Sequence, residues 1–302
     1  MKTSIALIAL MALATPLAAH ADCTVRVERA LQYGTGKLEG GQTKALLLDA
    51  YIPETCNGML VHEVPPIGFV HGGGFIGGGR DEPGKVELST NLARQGFAVF
   101  SIDYRLQGDK PVLEDENARA ALEKLADNLS PEEIKWLGKN TSIEGPEKPY
   151  LAMVAVEDAL RAKEWVNAHQ KRFNIQTENW GLIGGSAGAA TVMQMAYTAD
   201  EVFKKPQNAN AVVDMWGDMY PKQFIDRDEA PLLILHGTED ETVEYKYSTA
   251  LLEGARKAGI EVHRITGEGE GHGFDLQHVM VPGTNMSAFD AIVKFFDTHL
   301  RG

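Results

Sequence analysis

Ser186 stands in the run Gly184-Gly185-Ser186-Ala187-Gly188, after the apolar stretch "WGLI" and before a segment of helical character, "AATVMQMAY". A Gly-x-Ser-x-Gly sequence between a strand and a helix makes a tight turn that holds the serine hydroxyl exposed at the strand's end. The small neighbours suit close passage of the backbone and close approach of another group. Serine is a weak nucleophile at neutral pH, so it needs a base to take its proton and an acid to orient that base. Sought in the order serine, acid, histidine, the acid is Asp240, just past the apolar run "PLLILHG", with Glu239 and Glu241 as neighbouring competitors. The base is His272 in "GEGEGHGF", set among glycines after the next strand-like run. Acyl transfer also needs preorganised N–H donors for an oxyanion. "FVHGGGF" (69–75) offers those of Gly73 and Gly74, and Ala187 offers a third directly after the serine. The alternative, a phosphate-binding glycine loop, lacks a following Gly-Lys-Ser/Thr, and Arg80 is too far along to replace it. His71 reads as loop structure.

These residues need a scaffold that brings distant strand ends together. From residue 67 onward, short apolar runs alternate with longer amphipathic ones. Strands are predicted at 67–70, 97–104, 180–184, 211–216, 231–237 and 261–266, and helices at 86–96, 153–170, 244–259 and 286–300. That alternation implies βαβ units and a mostly parallel central sheet with helices on both faces. "TVRVERALQYG" and "KALLLDAYIP" are predicted to open it as antiparallel strands. About 45 residues between Arg105 and Tyr150 break the rhythm. Connections in such folds are short, so 105–150 reads as a small helical insertion, a candidate lid over the ligand-binding end of the sheet. A surface embellishment is the alternative. Met215, Trp216, Met219 and Tyr220 follow a strand on the same edge, and some are expected to line an acyl or aryl pocket.

The first 21 residues have a positive start at Lys2, the apolar core "IALIALMALA" and small residues at Ala19 and Ala21. They read as a signal peptide cleaved after Ala21, leaving 22–302 as the catalytic domain. A membrane anchor is the alternative, which the short apolar stretch and Pro16 disfavour, so no stable membrane insertion is expected after cleavage. Cys23 and Cys56 are the only cysteines, and in an oxidising compartment they read as one disulfide. Lipidation of Cys23 would require a small residue where Asp22 stands. The expected location is therefore secreted or periplasmic. A net charge of −13 argues against nucleic-acid partners. No His/Cys cluster has metal spacing, and "HEVPP" (62–66) lacks the second histidine of a zinc motif, so no metal or cofactor is expected. Oligomeric state is not legible.

Taken in order, "HGGGF", "SIDYRL", "GGSAG", "HGTEDETV" and "GHGF" resemble the α/β-hydrolase superfamily, and within it the hormone-sensitive-lipase-like and feruloyl-esterase-like carboxylesterases. The resemblance covers roughly residues 44 to 300. It implies a cofactor-free serine esterase acting on a small-molecule or polymer-linked ester. Ser186 would be the nucleophile, Asp240 the acid and His272 the base, with Gly73, Gly74 and Ala187 as oxyanion donors. Asp103 and Arg105 of "DYR" would pin the loop. Two departures stand out: Gly185 replaces the acidic residue common before the serine, and the stretch from Trp216 to Pro231 is too short for the usual cap. "HGTEDETVEYKYSTALLEGARKAG" also resembles the prolyl-oligopeptidase catalytic domain, which keeps a serine exopeptidase as an alternative. A catalytically silent hydrolase-fold binding protein is a third reading.

Overall fold

A computed structural model of the chain describes residues 22–128, 147–206, 209–219 and 228–302. The expected leader and the middle of the expected insertion lie outside the described residues. Two long strands, β1 (Cys23–Lys37) and β2 (Thr43–Cys56), pair antiparallel, and a two-residue strand, β3 (Met59–Leu60), adds to β2. Cys23 and Cys56 face each other across this ladder and form a disulfide. The chain then alternates between β4 (Pro66–Val70), α1 (Pro83–Arg94), β5 (Ala98–Ile102), α2 (Glu116–Asn128), α3 (Glu147–Ala168) and α4 (Gln170–Phe173). It continues through β6 (Gly181–Gly185), α5 (Ala187–Tyr197), α6 (Ala199–Val202), β7 (Ala211–Met215) and β8 (Leu232–Gly237), and closes with α7 (Tyr245–Ala258), β9 (Val262–Gly267) and α8 (Ala288–Leu300).

The strands form one sheet in the order β1-β2-β5-β4-β6-β7-β8-β9, antiparallel at β1–β2–β5 and parallel from β5 to β9. The parallel strands β4 to β8 are buried on both faces, which is why they read as apolar runs, whereas β9 at the sheet edge is buried only in part. Alternate residues serve two cores. Ile67, Phe69, Ile183, Val213 and Leu235 pack with α1 and α8, whereas Val70, Leu182, Val212 and Ile234 pack with α3, α5 and α7. Helix ends follow local chemistry. Ser287 caps α8 by accepting from the Asp290 N–H at 3.1 Å, and Gly259 ends α7 at φ 87°, a left-handed conformation that costs glycine least.

The topology has one consequence for function. β4 and β6 are sequence-distant but hydrogen-bonded, with Val70 opposite Gly184. The chain leaves β4 toward α1 on one face and leaves β6 toward α5 on the other. The crevice outside their carboxyl ends is therefore a topological switch point, the usual ligand site of such sheets.

Arg105 begins the inserted region and is wholly buried. Its guanidinium donates to Asp158 at 2.8–3.1 Å, to Glu157 at 2.5 Å, and to the carbonyls of Lys37 and Val112 at 3.0 and 2.7 Å. Burial alone would lower its pKa; the hydrogen bonds and charge of Asp158 and Glu157 outweigh that and raise it. Asp103 accepts from the Arg80 N–H at 2.9 Å and pairs with its guanidinium, which also donates to buried Asp49 at 2.9 Å. Both ends of the "DYR" run are thus tied to neighbouring elements. Among the described residues no helix is long and apolar enough to cross a membrane.

Candidate active site

Ser186 lies between β6 and α5 at φ 54° and ψ −119°, a region that non-glycine residues rarely occupy. Its N–H donates to the Met215 carbonyl at 2.9 Å, which fixes the turn against the neighbouring strand. The turn closes tightly because Gly188 touches the end of β4. A Cβ there would lie 2.1 Å from the Val70 carbonyl oxygen and 2.6 Å from that of His71. Gly188→Ala is accordingly expected to cost about 3 kcal/mol, the upper end of overpacking, because a backbone neighbour cannot rotate away. In a protein of this size that is a fall of roughly 6 °C in melting temperature, measurable by calorimetry; an unchanged melting point would contradict this packing.

His272 and Asp240 arrive from loops after β9 and β8. His272 Nε2 lies 3.0 Å from Ser186 Oγ, and His272 Nδ1 lies 2.8 Å from Asp240 Oδ2. The Asp240 side chain has no exposed surface, whereas that of His272 is 24% exposed, so the ring can meet a ligand while its carboxylate partner stays dry. Asp240 Oδ1 accepts from the N–H groups of Thr242 and Val243, both at 2.8 Å, leaving Oδ2 for the imidazole. Glu239 and Glu241, the competing acids, are exposed to solvent. Such a chain can draw the proton from a serine hydroxyl as it attacks an electrophilic carbon.

Gly73, Gly74, Ser186, Ala187 and His272 line one cavity of about 920 Å³. Gly73 sits at φ 110°, and a Cβ there would fall 2.2 Å from the Gly77 carbonyl oxygen, so this turn requires glycine. The Gly73 carbonyl is taken by the N–H groups of Ile76 and Gly77 at 3.0 and 3.1 Å. Ala187 is the first residue of α5, where a backbone N–H has no intrahelical acceptor. His71 packs beneath this loop, its ring stacked on Tyr104 at 4.4 Å and Nδ1 2.7 Å from the Gly72 carbonyl oxygen. Burial lowers the His71 pKa, against a smaller raising effect of that backbone contact.

Met215 and Trp216 line the cavity, whereas Met219 is buried in the core on the α3/α5 face, and Tyr220 lies outside the described residues. Trp216 also accounts for Gly185: a Cβ there would come within 3.3 Å of the indole nitrogen. Of the described side chains of the insertion, none of 105–124 lines the cavity, whereas Lys148 and Pro149 at its end do.

His236, at the end of β8, received no role in the sequence reading. It is fully buried, its Nε2 lies 2.7 Å from the Val243 carbonyl oxygen and 3.3 Å from Asp240 Oδ2, and burial lowers its pKa. A neutral ring donating from Nε2 braces the Asp240 loop from behind. The only sequence signal was its place four residues before the acid.

The sheet order and the strand–Ser186–helix junction define an α/β-hydrolase. Family models agree: one described as the alpha/beta hydrolase fold matches residues 144–231, and one for the prolyl oligopeptidase family matches residues 219–302. The chain has the α/β-hydrolase fold. Esterase LipC of Mycobacterium tuberculosis is 24% identical over an alignment of 259 positions that covers 78% of this chain and 59% of that protein. The chain thus spans less than two thirds of the length of this relative. Among solved structures, a truncated carbohydrate esterase from gut microbiota superposes with a TM-score of 0.62 at 17% identity, covering 94% of this chain and 99% of that one. Thermogutta terrifontis esterase 2, phosphorylated by paraoxon, gives a TM-score of 0.59 at 19% identity, covering 93% of this chain and 94% of that one. The likeness to both structures is one of fold.

Proposed function

We propose that the chain is a serine carboxylesterase working through an acyl-enzyme. The observation that carries this reading is His272, whose two ring nitrogens bridge Ser186 and Asp240 at the floor of an open cavity. Ser186 Oγ attacks the ester carbonyl while His272 Nε2 takes its proton, and the carbonyl oxygen becomes an oxyanion held by the N–H groups of Gly73, Gly74 and Ala187. Collapse breaks the bond to the alkoxide, which leaves with the proton from Nε2. Water then gives a proton to Nε2 as it attacks the acyl carbon, and collapse breaks the bond to Ser186 Oγ, which takes that proton back as the acid is released. Asp240 keeps the proton-bearing Nδ1 turned away from the serine and stabilises the imidazolium.

Export of the chain is part of the same reading, supported by a disulfide of the kind that persists in oxidising compartments. A serine exopeptidase is the second reading, favoured by the prolyl oligopeptidase match over residues 219–302. That stretch holds Asp240 and His272, which both chemistries use alike. The relative in Mycobacterium tuberculosis is named an esterase, in keeping with the first reading. The deciding experiment compares residues 22–302 on p-nitrophenyl esters from acetyl to decanoyl with an alanyl-prolyl p-nitroanilide. Ester turnover without anilide turnover is expected; the reverse pattern would replace the esterase by the peptidase.

A further inference from the structure

We propose that Lys148 forms an anion subsite in the cavity of Ser186, so that the preferred ester carries a carboxylate on its acyl part, as the half ester of a dicarboxylic acid does. The inference rests on the serine-esterase reading above. Lys148 is in the first turn of α3, its side chain is partly buried, and it lines the same cavity as Ser186. Among the described residues it makes no hydrogen bond or ion pair. Lys85, the other lysine of the lining, is held 3.0 Å from Glu82. Burial lowers the Lys148 pKa, and no counter-charge acts against it. Its position brings no helical benefit, since the positive end of the helix dipole disfavours a cation in the first turn. A cation kept in a cavity with neither an ion-pair nor a helical reason suits an anion that arrives with the ligand.

The remaining charges give that ligand a direction. Glu82 immediately precedes α1, the ion-paired Lys85 and Glu87 belong to it, Asp275 follows His272 in the chain, and Asp218 follows Trp216. α1 packs on the face of the sheet opposite to α3. An anionic substrate is therefore repelled at one end of the cavity and attracted at the other. His272 hands its proton to the leaving alkoxide, and its loop neighbour Phe274 packs on Trp216 at 5.3 Å, which places the alcohol on that wall. Lys148 comes in from α3, which packs against α5, the helix that begins beside Ser186. Ala152, Ala187 and Ala190 leave room along this second wall for the acyl chain.

The test measures kcat/KM for ethyl hydrogen adipate and for neutral ethyl hexanoate in the wild type, Lys148→Met and Lys148→Arg. Taking the ratio of the two esters cancels any general damage to the site. The ratio is expected to fall about tenfold in Lys148→Met, mainly through KM, as loss of one charge-assisted hydrogen bond predicts, and to recover in Lys148→Arg. A ratio that does not move overturns the subsite. So does a dependence on Lys148 seen only when the carboxylate sits on the alcohol. Failure of the wild type to hydrolyse either ester would instead overturn the esterase reading, and the subsite with it.

Discussion

Exchanging Ser186 for alanine is expected to lower kcat for ester hydrolysis by about 10⁶-fold, with the melting temperature preserved. The size follows from the hydrogen-bonded arrangement. Without Oγ, His272 Nε2 loses its partner at 3.0 Å, and among the described residues no other hydroxyl hydrogen-bonds that imidazole. The N–H groups of Gly73, Gly74 and Ala187 remain, so a residual acceleration of about 10³- to 10⁴-fold over water is expected from oxyanion stabilisation and binding alone. Alanine at φ 54° is no more strained than serine, so the turn should survive. Steady-state kinetics with a fluorogenic ester gives the rate loss. A loss below a hundredfold would mean that another residue or a water molecule attacks the ester.

Asp240→Asn is expected to cost about 10⁴-fold in kcat, although it changes one atom and almost no volume. The backbone determines how the new amide would sit. The N–H groups of Thr242 and Val243 both point at the Oδ1 position at 2.8 Å, so the amide oxygen must go there. The NH₂ group then occupies the place of Oδ2 and donates to His272 Nδ1. That ring nitrogen must become an acceptor, which moves the proton to Nε2, the nitrogen facing Ser186 Oγ. An Nε2–H cannot take the serine proton. Activity within tenfold of the wild type, with an unchanged fold, would show that Asp240 does not set the tautomer of His272.

Much of the scaffold was legible because each element is locally consistent. The apolar runs at 67–70, 211–216 and 231–237 became β4, β7 and β8 almost to the residue, since strands buried on both faces leave an unbroken hydrophobic signature. Ser186 and Asp240 stand out for a related reason: each comes just past the end of such a run, where a loop can present a side chain, while His272 stands out by its glycine-rich loop after β9. What stayed hidden depends on contacts distant in sequence. Arg105 could be read as an anchor, but not its partner Asp158, which follows 53 residues later on a helix whose periodicity says nothing of that pairing. β3, two residues long, is too short to show alternation. His236 reads from sequence as one more strand residue, and only the return of the chain at Val243 gives its ring an acceptor. Met215 ends β7 and reaches the cavity, whereas Met219 packs into the core on the α3/α5 face, beyond the turn of the chain at Trp216 with φ 46°.

The central claim is that Ser186 is the nucleophile, and covalent trapping tests it most directly. Residues 22–302 would be treated with one equivalent of a p-nitrophenyl dialkyl phosphate, then examined by intact mass and peptide mapping. The account predicts a single dialkylphosphoryl group on the peptide containing Ser186, release of one p-nitrophenol per chain, and no adduct in Ser186→Ala. An adduct on a different residue, or an unmodified chain that still hydrolyses esters, would contradict it.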